Sequence, residues 1–199
     1  MNLLFIDRYV GDASAFAKEV AAVSARLGIN PNWLMAVMWK ESKLNPAAKN
    51  KLFPMQGGYP TGLIQFLPST ALDLGTTVQD LAKMNGVDQL RYVEKYLKPF
   101  AGKMKSYFDT YAAVFFPLAI GKPDNWVFET KKLNRSKIAA QNPGIDLNKD
   151  GKITIGEFKE YLVGGFTASV RNVLGYVKNN SAVLLLLIAA GVALKFMSK

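Results

Sequence analysis

The chain contains no cysteine and no histidine. Without cysteine no disulfide can form, so the redox state of its compartment leaves no mark on the sequence. Without both residues a structural zinc site is excluded in practice, because they supply nearly all of its ligands. Ser-His-Asp and Cys-His nucleophilic machinery is excluded outright. Bond-cleaving chemistry must then run on carboxylates, hydroxyls, lysine or tyrosine. Acidic side chains are themselves scarce, 15 Asp and Glu against 25 Lys and Arg, which leaves a formal net charge of +10. Such a protein is drawn to polyanions: nucleic acid, anionic lipid or an acidic cell-wall polymer. The basic residues form no long run, Lys131-Lys132 with Arg135 being the densest group. A nucleic-acid partner is therefore not expected.

Half of the 199 residues are apolar, enough for a buried domain with an appendage. Phe16, Val20, Val23 and Leu27 recur at helical spacing and predict a helix over 12–27, stopped by Gly28. Asn30-Pro31 opens a second helix, expected to run to about Leu44. Residues 50–67, rich in Gly and Pro, predict a loop or short hairpin, with a small β element around 55–66. A short helix follows from Pro68, then helices over 78–84, 87–98 and 103–116, an irregular stretch over 117–133, and helix again from Ile155. The fold class is mainly α. The first residues, MNLLFIDRYV, do not read as a secretory signal. Ala182 to Leu194 carries no polar side chain. Those residues alone reach only ~20 Å of a ~30 Å hydrocarbon core. Residues 174–197 are long enough if Lys178 and Lys195 reach opposite interfaces. A C-terminal transmembrane helix, with the lipid membrane as partner, is expected; a buried core helix is the alternative.

On the second helix Leu34, Val37 and Met38 are followed, one turn on, by Glu41. A glutamate on an apolar stripe faces the core side, where partial burial raises its pKa and suits it to donate a proton. Around it, Glu41-Ser42-Lys43-Leu44-Asn45-Pro46-Ala47-Ala48 resembles the Glu-Ser…Pro-x-Ala motif of soluble lytic transglycosylases and goose-type lysozymes. Thr61-Gly62-Leu63-Ile64-Gln65-Phe66 resembles their Gly-Leu-Met-Gln turn, and Pro68-Ser69-Thr70-Ala71 their Pro-x-Thr-Ala. Leu74-Gly75, Asp80-Leu81 and the helix from Leu90 to Leu97 continue the likeness, which covers about residues 12–120. Tyr59-Pro60 departs from the family's Gly-Ala, and Tyr111-Ala112-Ala113-Val114 is the nearest counterpart of its Tyr-Asn-Ala-Gly.

The resemblance implies a lysozyme-like α-helical domain that binds peptidoglycan glycan strands and cleaves the MurNAc-GlcNAc β-1,4 bond. It implies Glu41 as general acid and then base, with Ser42, Gly62, Leu63, Gln65 and Tyr111 around the substrate. In that family the muramyl hydroxyl attacks and a 1,6-anhydro product forms without water; goose-type lysozymes hydrolyse instead, and both outcomes use Glu41. Asp73, Asp80 and Asp109 are possible second carboxylates, none of them in a recognisable motif.

Residues 146–157 match a twelve-residue EF-hand loop in full. Asp146, Asn148 and Asp150 stand at positions 1, 3 and 5, Gly151 at 6, Lys152 offers its carbonyl at 7, Thr154 stands at 9 and Glu157 at 12. The cofactor expected there is Ca²⁺. The chain thus divides into a lysozyme-like domain at 1–133, an EF-hand calcium-binding segment at 134–173 and an anchor at 174–199. The location expected is membrane-anchored, in a bacterial envelope or virion membrane with other envelope or virion proteins, and one role would be wall opening during phage entry. Two rival readings stand beside the enzyme: a lysozyme-like binding module without activity, and a non-catalytic calcium-binding membrane or virion structural protein.

Overall fold

The computed structural model describes residues 2–176. Helices α1 (Ala13–Leu27) and α2 (Pro31–Ser42) open the helical body. The α1 stripe of Phe16, Val20, Val23 and Leu27 is buried, as its spacing predicts. Asp12 caps the helix by accepting from the Ala15 N–H at 2.9 Å. Gly28 ends it at φ 68°, a left-handed conformation that costs a residue with a Cβ roughly 1–2 kcal/mol. After the connecting loop come α3 (Pro68–Asp73), α4 (Val78–Leu81), α5 (Gly86–Leu97) and α6 (Tyr107–Phe115). Helix α1 packs on α2 and α5, and α2 packs on α6. The helices expected over 78–84, 87–98 and 103–116 are present with some ends shifted, and each starts behind a capping side chain: Thr77, Asn85 and Ser106.

The expected β element is reduced among the described residues to isolated bridges, Lys49 to Thr61, Met55 to Gly58 and Thr61 to Phe66. Thr61 and Phe66 exchange both backbone hydrogen bonds, at 3.0 and 2.8 Å, and fold 61–66 into a tight loop. The pairing stops there because Gly62 and Gln65 both hold positive φ, 90° and 55°, which turns the chain instead of extending it.

The second half adds α7 (Arg135–Gln141), α8 (Ile155–Val163) and α9 (Ala168–Val173). Helix α7 is not foreseen by periodicity: only Ile138 and Ala139 are buried in it. The stretch 126–128 pairs with the chain around Thr154, Phe128 donating to the Ile153 carbonyl at 2.9 Å and Ile155 to that of Trp126 at 3.0 Å. Phe158 of α8 stacks on Phe115 at 5.4 Å and meets Tyr111 edge-on at 5.8 Å. Ile138, Ile145, Ile153, Phe158 and Leu162 belong to the same buried cluster as Leu34, Met35 and Tyr111. The segment expected to be a calcium-binding unit therefore shares the core of the helical body.

The expected membrane anchor is corrected. Among the described residues no helix is long and apolar enough to cross a membrane, which corrects the membrane-anchored location, and nothing there supports the lipid partner. Leu174, expected to begin the anchor, instead ends the six-residue α9 and lies in the core at 2% exposure. Gly175 follows at φ 73° and breaks the helix. The remainder of the expected span, 177–197, lies outside the described residues.

Candidate active site

Glu41 sits in the last turn of α2, one residue before its end. The backbone behind it is strained: Lys43 and Leu44 take φ 56° and 62°, two successive non-glycine residues in the left-handed region. Leu44 is held there by burial, at 1% exposure. Glu41 is part-buried, and its carboxyl is raised above its ordinary pKa of 4.5, first by burial. A hydrogen bond from Tyr111 and the charge of Lys40 pull the other way without reversing the shift.

The Tyr111 hydroxyl, carried by α6, donates to Glu41 Oε1. Burial and the neighbouring carboxylate hold that phenol well above its usual pKa, so it stays a neutral donor. Because Oε1 accepts from Tyr111, the acidic proton of Glu41 belongs on Oε2. Tyr107 stands edge-on to Tyr111 with ring centroids 6.2 Å apart and buttresses it.

The loop 61–66 is positioned chiefly by Ser42 and Gln89, which do not themselves line the cleft. Ser42 is buried, and its Oγ lies 3.0 Å from each of the Met38 and Leu63 carbonyls, its one proton shared between them. It joins α2 to the loop and does not touch the Glu41 carboxylate. Leu63 is fully buried. Its N–H donates to Gln89 Oε1 at 2.9 Å. Gln89 Nε2 in turn donates to the carbonyls of Pro46 and, at 2.7 Å, Leu81. Gly62 makes room for this amide: a Cβ there would lie 2.6 Å from Gln89 Oε1. Gln65 Nε2 donates to the Gly62 carbonyl at 3.0 Å and the Ala48 carbonyl at 3.3 Å. What Gln65 brings to the cleft is its carbonyl oxygen, an acceptor.

Of the expected site residues, Glu41, Gln65 and Tyr111 come together in one cleft of ≈ 340 Å³. Ser42, Gly62 and Leu63 support it from behind. Lys40 and Asn50 complete the near wall. The far wall comes from the second half of the chain: Asn142, Gly144 and Ile145 after α7, and Phe158 and Tyr161 on α8. Glu41 is the one carboxylate lining this cleft among the described residues. Asp109 is engaged elsewhere, accepting from Ser106 Oγ and from the Lys105 and Gly121 N–H groups, and Asp80 is engaged with Thr77 and Lys83. Asp73 is exposed at the end of α3.

The twelve-residue loop turns at Lys149 (φ 59°) and Gly151 (φ 79°). Its oxygens face its own amides: Asp146 accepts from the Asp150 and Gly151 N–H groups at 3.2 and 3.1 Å, and Asn148 from that of Asp150 at 2.9 Å. Thr154 and Glu157 form a capping box at the start of α8, and the other Glu157 oxygen accepts from the Asn148 N–H at 3.3 Å. No group of three or more Asp, Glu, His or Cys side chains among the described residues is arranged to hold a metal ion. The donor set is all oxygen, the chemistry that suits Ca²⁺.

No curated protein and no solved structure matches the chain. Residues 19–120, more than half of the 199, match the family model described as the transglycosylase SLT domain. The matched stretch holds Glu41, Gln65, Gln89 and Tyr111, and it ends before the far wall of the cleft. The chain belongs to the transglycosylase SLT domain family, whose activity is the cleavage of peptidoglycan by a lytic transglycosylase-type glycosidase.

Proposed function

We propose that this protein breaks the MurNAc-GlcNAc β-1,4 bond of peptidoglycan with Glu41 as its one acid and base, yielding a 1,6-anhydro product. The observation that carries the proposal is the single carboxylate in the cleft. Retaining and inverting hydrolases usually place two carboxylates across the bond they cut. One suffices when the substrate supplies the nucleophile. Glu41 Oε2 gives its proton to the glycosidic oxygen, and the C1–O4 bond breaks. The resulting carboxylate takes the proton of the muramyl C6 hydroxyl, whose oxygen bonds to C1. No water is consumed, and Glu41 ends protonated, ready for the next turnover. Tyr111 steadies the carboxylate stage by its hydrogen bond, and Gln65 offers an acceptor to a sugar N–H or O–H.

Mass spectrometry of muropeptides released from purified wall tests this. Products carrying the 1,6-anhydro ring, lighter than reducing ends by one water, are expected. Products with reducing ends alone would overturn the lyase step in favour of hydrolysis.

The loop 146–157 is proposed as a Ca²⁺ site, with Asp146, Asn148, Asp150, the Lys152 carbonyl, Thr154 and Glu157 as its ligands. What supports this is the full match of oxygen donors to the spacing and the left-handed turn at Gly151. A ligand held only by the folded state stabilises it by ~2.7 kcal/mol at a hundredfold excess over Kd. Calcium is expected to raise Tm by roughly 5–10 °C over chelator-treated protein. Asp146→Ala should abolish the rise while leaving the capping box in place. An unmoved melting curve would remove the site.

A further inference from the structure

Lys40 precedes Glu41 on α2 and lines the same cleft. Its position is fixed: Nζ donates to the Tyr161 carbonyl at 3.1 Å and stands 4.6 Å from the centre of the Tyr161 ring. Burial and the nearby charge of Lys43 both act against its ammonium, and the Glu41 carboxylate acts for it. That last support is absent in the form of the enzyme that reacts, because a general acid must enter the reaction protonated. With Glu41 neutral, Lys40 is the one charged side chain lining the cleft among the described residues. An ammonium has three donors, and the Tyr161 carbonyl takes one.

The glycan of peptidoglycan is built of neutral N-acetylated sugars. Its carboxylates hang from the muramyl residue alone: the lactyl carboxylate where the peptide has been removed, and the free carboxyls of the stem peptide where it remains. We infer that Lys40 is a specificity residue which binds a carboxylate borne by the muramyl residue in the cleft. This rests on the peptidoglycan reading and narrows it to a class of strand. The anion restores the countercharge that Lys40 loses when Glu41 is protonated. It also holds the muramyl residue, the one whose hydroxyl attacks, beside the acid. The aromatic ring beneath Nζ and the carbonyl beside it keep the ammonium from swinging out to solvent.

The test measures binding, so that its result stands apart from cleavage. Strands with peptides, and strands stripped of them by an amidase, are each prepared with free carboxyls and after amidation of those carboxyls. Affinities are taken for Glu41→Gln, alone and combined with Lys40→Met, Lys40→Arg or Lys103→Met. Free-carboxyl strands are expected to bind about tenfold tighter than amidated ones, the size of one charge-assisted hydrogen bond. Lys40→Met should bring that ratio close to one, and Lys40→Arg should retain most of it. Lys103 is exposed and away from the cleft, so Lys103→Met reports the general pull of a basic protein on an anionic strand and should leave the ratio in place. The strand type that shows the ratio identifies the carboxylate, lactyl or peptide. A ratio near one on both strand types, a ratio that survives Lys40→Met, or one that Lys103→Met removes equally would overturn the inference. Cleavage of the same strands by the unaltered protein reports separately on the transglycosylase reading.

Discussion

Glu41→Gln is expected to abolish wall cleavage, by at least ~10²–10⁴-fold, while the helical body stays folded. The amide matches the carboxyl in shape and its oxygen can still accept from Tyr111, but it has no acidic proton to give. Residual activity above a few per cent of the parent, in a variant whose melting is intact, would remove Glu41 from the role of acid. The pH dependence follows from the same group. Burial raises the Glu41 pKa above 4.5, so the protonated form persists to higher pH than in an exposed glutamate. Activity should therefore fall on the alkaline side as the carboxyl loses its proton at that raised pKa. Stability moves in the same sense. A raised folded-state pKa means stability that is full below 4.5 and lost as pH rises through the folded value. Gln has no charge to bury, so the variant should melt above the parent at alkaline pH, and the difference should vanish at acid pH. A variant that melts no higher than the parent at any pH would contradict the assigned burial.

Much of the near wall was legible in the sequence because it is local. The position of Glu41 one turn beyond Leu34, Val37 and Met38 is a helical period, and the order of the motifs after it put Gln65 and Tyr111 in the same neighbourhood. The far wall was not legible. Lys40 meets Tyr161 across 121 residues, and Phe158 reaches Tyr111 through an aromatic cluster that no spacing encodes. The twelve-residue loop announced the start of a helix but not that this helix closes the cleft. Gln89 escaped for a different reason. On α5 it stands beside the apolar Leu90 and Val93 as a polar residue, yet it is fully buried, its amide satisfied by three backbone groups distant in sequence. At the start of the expected anchor hydropathy misled, because it does not distinguish Leu174 packed in a protein core from a leucine facing lipid.

Gly62→Ala is expected to have the largest effect on stability of any single methyl added to this site. Two costs combine. At φ 90° the backbone lies where a Cβ is strained, roughly 1–2 kcal/mol. The new methyl would also meet Gln89 Oε1 at 2.6 Å, inside any tolerable contact. Gln89 cannot retreat without loss, because that oxygen accepts the buried Leu63 N–H and its nitrogen serves Pro46 and Leu81. An unsatisfied buried group of this kind costs ~1–3 kcal/mol. Together these predict a Tm lower by roughly 10 °C for a chain of this length. Activity should fall as well, since the loop that moves carries Gln65 into the cleft. Gln89→Ala separates the two costs. It removes the clash but forfeits the same hydrogen bonds, so Gly62→Ala added to it should cost only the backbone strain, well under its effect in the parent. Equal effects of Gly62→Ala in both backgrounds, or a Tm within a degree or two of the parent, would show that Gly62 is present for some reason other than the Gln89 amide.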